Sequence, residues 1–333
     1  CNEAVKLAKR HKFAQLSGFV NGVLRNIARN IDSVQFDTLS IQYSMPQWIV
    51  DRFVAAYGEK KAEEIFKAFH SKSTISIRTN LTRCTPDELR VMLEAEGVTV
   101  TAVDELNYAF VISGFDYLNG LQSFRDGLFY VQDISSMLVA QTAAPKKGDY
   151  VIDVCAAPGG KSTHIAELLQ GSGHVLARDL TDNKVDMIEE NIERHGLNNM
   201  SAEVWDATVF DADSAGKADI LICDLPCSGL GVLGRKKDIR YKMTPESVDE
   251  IAALQRQILD TVHTYVKPNG VLVYSTCTID EAENEDNVRW FIEKHPEFEL
   301  DKSFAEGTGM KQILPGEHGS DGFFIARFIK SKL

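Results

Sequence analysis

The sequence predicts an α/β protein: a doubly wound, mostly parallel, Rossmann-like sheet, preceded by a small α+β domain and an N-terminal helical remnant. Three observations lead there. Beyond residue 126, short Val- and Ile-rich runs alternate with helical stretches, as in strands buried on both faces and joined by helices. Acidic residues and cysteines recur at or just past the ends of those runs, where such folds bind ligands. Before residue 126 the apolar period changes from helical to two-residue spacing. The expected organisation is residues 1–38 as the end of a helical domain plus linker, 39–125 as a small α+β domain, and 126–333 as the sheet domain.

The elements follow in order. Phe19, Val20, Val23, Leu24 and Ile27 predict a helix within residues 4–31, and 31–45 reads as a linker. Pro46 starts a helix with Ile49, Val50, Phe53 and Val54 on one face; Gly58 ends it, and a second helix spans 59–70. TISIRTNL from Thr74, a capped helix ending at Gly97, VTVTAV and YAFVI form a β-α-β run. Strands are then expected over 150–155, 174–179, 201–206, 218–224, 270–276 and 323–329. Helices are expected over 161–170, 182–195, 246–266 and 284–294.

Composition excludes several classes. Thirty-six basic against 48 acidic residues leave a net charge of −12, which opposes indiscriminate polyanion binding. Any nucleic-acid surface is therefore local. Two basic segments qualify: residues 1–30, net +5, and RKKDIRYK (235–242), net +4, with Arg235, Lys236, Lys237 and Arg240. No 18-residue apolar run could span a bilayer, and six cysteines without secretory spacing fit a reduced cytoplasm. No second ligand pair completes a zinc site around Cys223 and Cys227, so no metal is expected. A monomer without membrane attachment is expected.

DVCAAPGGKS (153–162) leaves a strand, turns through Gly159 and Gly160 and enters a helix. Such a turn lets a ligand approach backbone and free N–H groups. A P-loop reading fits Gly160-Lys161-Ser162 but fails at its first glycine, which is Cys155, and Pro158 removes one N–H. Asp179, 20 residues beyond Gly159, has the spacing of a ribose-binding carboxylate, and Asp206 ends the next strand, within reach of an adenine. An adenosyl cofactor is expected, and an acidic pocket suits a sulfonium cation better than a triphosphate. Cys155 and Cys223 read as packing residues. Cys227 and Cys277 instead occupy polar turns after strands, near Asp224 and the basic segment, where a thiolate could be stabilised.

CAAPGGKS, DLPCSG, YSTCT and LPGEHGSDGFF resemble the motifs of Sun-type S-adenosylmethionine-dependent RNA (cytosine-C5)-methyltransferases over residues 74–333. VNGVLRNI (20–27) resembles the last helix of a NusB-like RNA-binding domain. The resemblance implies methyl transfer to cytosine C5 in RNA, with small-subunit (16S) ribosomal RNA, free or in an early particle, as partner. It implies Cys277 as nucleophile toward C6, Cys227 in removing the C5 proton and releasing product, and Asp224 on the base. Cys155, Ala156, Ala157, Pro158, Gly159, Gly160, Lys161, Asp179, Asp206 and Asp224 would hold the cofactor. Arg235, Lys236, Lys237 and Arg240 would contact RNA.

The chain departs from the family pattern at Lys237-Asp238, where Pro often precedes the Asp, and at Glu281-Ala282, where Pro and Glu are usual; Glu283-Asn284 fit. DEAENED (280–286), net −5, reads as a helix start favoured by the macrodipole. Two alternatives remain at this level: a P-loop-like NTPase, and a non-catalytic RNA-binding protein of ribosome assembly.

Overall fold

A computed structural model describes residues 1–71 and 74–332. Lys72 and Ser73, within the expected small domain, and Leu333, at the end of the expected sheet domain, lie outside the described residues. The chain divides into two compact units, Cys1–Val50 and Asp51–Leu333.

In the first unit, helices cover Asn2–Arg10 and Ser17–Asn30, and the Thr38 hydroxyl caps a short helix over Leu39–Gln42. The continuous helix expected over 4–31 is broken, because Lys12 adopts a φ of 66° that no right-handed helix accommodates. Phe19, Val23 and Ile27 form the anticipated apolar stripe and are exposed. Helices Gln47–Tyr57 and Glu59–His70 follow, separated by Gly58 at a φ of 77°.

A small antiparallel sheet comprises β1 (Ile75–Thr79), β2 (Thr99–Val103), β3 (Leu106–Ser113) and β4 (Phe129–Val131), ordered β2-β3-β1-β4. Helix Pro86–Ala95 starts at a capping box between Thr85 and Glu88 and buries Leu89 and Leu93 in a core with Ile77, Phe110 and Phe129. β4 lies beyond residue 125, so this sheet draws an edge strand from the segment expected to open the next domain. Three residues are too few to show a period, and the pairing is tertiary.

The large sheet contains β5 (Tyr150–Asp153), β6 (His174–Asp179), β7 (Met200–Val204), β8 (Ala218–Asp224), β9 (Val266–Thr276), β10 (Phe298–Leu300), β11 (Met310–Ile313) and β12 (Phe323–Lys330). Its order is β10-β12-β9-β8-β5-β6-β7, with β11 also on β12. β5 to β9 are parallel, whereas β12 runs antiparallel to β9, β10 and β11. The sheet is therefore mixed. Cores on its two faces contain Leu221, Tyr274, Phe291 and Phe328 on one side and Val151, Ile165, Ile222 and Ile325 on the other. Strand order reverses between β5 and β8, which opens a crevice at their carboxyl ends. Among the described residues, no helix is long and apolar enough to cross a membrane.

One buried side chain joins the two sheets. Arg78 on β1 donates to Gln132 Oε1 at 2.5 Å, the Gly160 carbonyl at 2.8 Å, Thr163 Oγ1 at 3.2 Å and Glu167 Oε1 at 2.9 Å. Glu167 and Thr163 lie on the helix Gly160–Leu168, which follows β5. Removing one partner of a buried ion pair strands the other charge. Arg78→Met should therefore lower stability by about 3 to 5 kcal/mol in urea unfolding, and adding Glu167→Gln should recover part of the loss. Equal stability of wild type and Arg78→Met would contradict this.

Candidate active site

The crevice starts at the end of β5. Asp153 is fully buried and accepts the Ser162 hydroxyl at 2.5 Å; burial, reinforced by nearby Asp224, pushes its carboxyl up to about 7. The chain then turns. Ala156 N–H donates to the Arg178 carbonyl at 2.8 Å, Gly159 N–H donates to the Ala156 carbonyl at 2.7 Å, and Ala157-Pro158 is cis. Gly159 has a φ of 101°, a conformation open to glycine, and a Cβ at Gly160 would lie 3.1 Å from the Tyr130 ring, a tight fit. The turn enters the helix Gly160–Leu168 as the sequence predicts.

Asp179, at the end of β6, is buried and locks this turn. It accepts Ala157 N–H at 2.9 Å, Leu180 N–H at 2.8 Å and Lys184 Nζ at 2.8 Å. Asp206 lies two residues past β7 rather than at its end, and it is exposed, accepting the backbone N–H and hydroxyl of Thr208. Neither lines the cleft of about 400 Å³ that Tyr130, Gln132, Asp153, residues 155–158, Lys161 and Asp224 enclose.

β8 and β9 pair in parallel with Asp224 opposite Ser275, so the turns after them meet. Asp224 accepts Lys161 Nζ at 2.6 Å on one oxygen and the Ser275 hydroxyl at 2.7 Å on the other. Cys227 and Cys277, 50 residues apart, bring their Sγ atoms to 3.1 Å, and Cys277 N–H points at the Cys227 sulfur at 3.3 Å. The hydrogen bond from Cys227 lowers the Cys277 thiol, against burial and Asp224, with help from Lys161 and Lys236. The same bond, then burial and the negative charge of Glu283, raises Cys227 well above the ordinary range. One sulfur is thus poised as thiolate and the other as its donor.

Glu283 organises the Cys227 turn. It accepts Ser228 N–H at 2.9 Å, the Ser228 hydroxyl, and Gln255 Nε2 at 3.0 Å, while Gln255 also donates to the Pro226 carbonyl at 2.8 Å. Gly231 N–H donates to the Cys277 carbonyl at 3.1 Å; a Cβ there would meet the Gly322 oxygen at 2.4 Å, so the two turns and the GSDGFF loop close only around glycine. The acidic run 280–286 does lead into a helix, with Glu285 and Asp286 in its first turn, but its earlier residues are tied into the fold. Asp280 binds Arg52, Glu283 is buried, Asn284 takes the Thr276 hydroxyl at 2.6 Å, and the helix begins only at Glu285.

The basic segment divides. Arg240 is buried and donates to the Leu233 carbonyl, so it is not a surface cation. Arg235 is tied to Asp133 at 2.9 Å, Asp321 at 2.6 Å and the Thr74 carbonyl at 3.0 Å, which makes it a clip between loops. Lys236 and Lys237 are exposed, and Lys236 lines the cleft. Cys223 is fully buried in the sheet core as expected, and Cys155 packs against that core while also edging the cleft. Arg78, Gln255 and the Arg235 partners were not singled out by sequence reasoning, since their roles depend on segments far away in the chain. Glu283 carried a signal in its match to the family pattern.

Comparisons with known proteins agree with this architecture. Residues 140–329 match the family model "16S rRNA methyltransferase RsmB/F", residues 45–115 match an RsmF/B-like ferredoxin-like domain, and residues 1–29 match the NusB family. The chain is 38% identical to the probable ribosomal RNA small subunit methyltransferase B of Bacillus subtilis, covering 99% of this chain and 77% of that protein. It is 32% identical to the probable ribosomal RNA small subunit methyltransferase B of Synechocystis, covering 99% and 78%. The crystal structure of PH0851 superposes with a TM-score of 0.83 at 28% identity, covering 99% of this chain and 76% of that one. That of NSun6 from Pyrococcus horikoshii with SFG gives 0.78 at 25% identity, covering 86% and 99%. By its sheet order, its paired cysteines and these matches, the chain belongs to the 16S rRNA methyltransferase RsmB/F family.

Proposed function

We propose that this S-adenosylmethionine-dependent rRNA methyltransferase methylates C5 of a cytosine in small-subunit ribosomal RNA through a covalent Cys277–C6 adduct. The observation that carries the reading is the 3.1 Å approach of Cys227 and Cys277 beside Asp224 and Lys161. Neither the P-loop alternative nor a non-catalytic platform accounts for a thiol pair with opposed acidities. S-adenosylmethionine, when bound, supplies an electrophilic methyl group on a cationic sulfur. The site has features that fit it: buried Asp153 lines the cleft with no cation paired to it among the described residues, and Gly159 and Gly160 keep side chains off the turn. Residues 155–161, Asp179 and Asp206 are proposed to hold it, Asp179 also by fixing the Ala157 N–H.

Cytosine C5 is a weak nucleophile. Addition of the Cys277 thiolate to C6 makes C5 an enamine carbon able to attack the methyl group, and covalent catalysis splits one hard step into easier ones. Asp224 accepts hydrogen bonds from the base near N3 and N4, favouring the protonated ring during addition. Once the Cys277 sulfur is bonded to carbon, Cys227 no longer donates to a thiolate, and the largest cause of its raised pKa is gone. Cys227 then assists removal of the C5 proton, and the Cys277–C6 bond breaks to release 5-methylcytosine and regenerate the thiolate.

Three outcomes are expected. With RNA and cofactor, Cys227→Ala should accumulate an RNase-sensitive, slow-migrating band on a denaturing gel, and Cys277→Ala should give none and no methyl transfer; full activity of Cys277→Ala would end the covalent reading. Alkylation of Cys277, followed by mass spectrometry, should have its pH midpoint below the ordinary thiol value of about 8.5. A cation favours the thiolate, so Lys161→Met should move that midpoint up, whereas Asp224→Asn should move it down. Neutralising Lys236 and Lys237 together should reduce the slope of log affinity against log salt by roughly two units, and an unchanged slope would remove them from the RNA surface.

A further inference from the structure

We propose that Asp260, His263 and His295 form a site for a divalent transition-metal ion of the zinc class, at the end of β9 opposite the cysteine pair. His263 lies just before β9 begins at Val266, and Cys277 follows its last residue. The site is independent of the methylation chemistry. Sequence reasoning looked for paired cysteines and expected no metal; these three ligands are dispersed between residues 260 and 295 and meet only in the fold.

Two helices end here. Asp260 and His263, three apart, share a face where the helix Pro245–Val262 terminates, and His295 is the C-cap of the helix Glu285–Lys294. Helix C-termini carry partial negative charge, so their convergence favours a cation. One candidate ligand atom from each residue lies within 4.8 Å of the others. The two imidazole centroids are 3.9 Å apart, and His295 Nε2 lies 3.3 Å from Asp260 Oδ1. Tetrahedral zinc with bonds of about 2 Å holds its ligands about 3.3 Å apart, so modest side-chain rotation closes the set.

An independent observation points to a ligand. The His295 side chain is 93% buried, yet its Nε2 has no partner in hydrogen-bonding geometry. Buried polar nitrogens are rarely left so. Lys294 already pairs with Asp260 Oδ1 at 2.9 Å and competes with the ion for that carboxylate.

The test uses the full chain with Cys227→Ser and Cys277→Ser, so that the active-site thiols cannot bind metal, stripped with EDTA and titrated with Zn²⁺ in a calorimeter. One equivalent should bind. Adding His263→Ala and His295→Ala should weaken binding at least about tenfold. Lys294→Gln, an exposed change that leaves the packing intact, should strengthen it by removing the competing cation. Co²⁺ bound to the chain with its cysteines intact should show d–d bands without a sulfur charge-transfer band. The proposal fails if the Cys227→Ser, Cys277→Ser chain binds no Zn²⁺, or if affinity is the same with and without the histidines. It fails equally, even should the double histidine variant not fold, if Lys294→Gln leaves the affinity unchanged or the Co²⁺ spectrum reports sulfur alone.

Discussion

The buried guanidinium of Arg78 is the contact on which the arrangement of the crevice depends. It leaves the small antiparallel sheet, reaches the first carbonyl of the helix Gly160–Leu168, and neutralises Glu167 one helical turn beyond Thr163. A charged fork in this position has no water to fall back on, so all three segments must keep their relative positions for it to be satisfied. The turn at residues 156–160, which lines the crevice proposed to hold the cofactor, is thereby braced from the small sheet by Arg78 and from β6 by Asp179. The small sheet is thus structural support for the catalytic turn as well as a neighbour of it.

The reactive pair depends on a second constraint, strand register. Parallel pairing of β8 and β9 with Asp224 opposite Ser275 places two three- to four-residue turns side by side. A shift of one residue would turn the side chains to the other face and separate the sulfurs. Register alone does not fix the turns, however. Glu283 holds Ser228, and Gly231 packs against the Cys277 carbonyl and Gly322 at distances that exclude any side chain. The opposed acidities of the two thiols follow from this placement: the hydrogen bond between the sulfurs lowers Cys277 and raises Cys227, Lys161 and Lys236 help the first against burial and Asp224, and burial, Glu283 and Asp224 add to the second.

The protein is acidic overall, and its cations near the crevice serve different ends. Lys161 neutralises Asp224, Arg235 clips Asp133 to Asp321, and Arg240 is buried under its own loop. Lys236 and Lys237 remain exposed. A dense basic run in the sequence thus resolves into two structural arginines and three exposed lysines, of which Lys242 pairs with Asp238. The planar guanidinium, with five donors, suits bridging several acceptors, whereas lysine ammonium groups are readily kept in water.

The sequence by itself determined the α/β class, six of the eight strands of the large sheet and four of its helices to within about four residues, and the glycine turn at 159–160, and it singled out Cys227 and Cys277; it missed β10, β11 and the helix Ile134–Ala143. The features it determined are local, since burial on both faces writes apolar runs into strands and a tight turn demands glycine wherever it sits. Tertiary structure alone decided what lay in pairs of distant residues. Arg78 with Glu167, Ser228 with Glu283, and Arg235 with Asp133 and Asp321 each span from about 55 to 100 residues of chain. It also recruited β4 to the small sheet and made the large one mixed by turning β12 antiparallel. A charge in the sequence shows its sign but not its partner, and whether it faces solvent or closes a loop depends on which segment the fold brings against it.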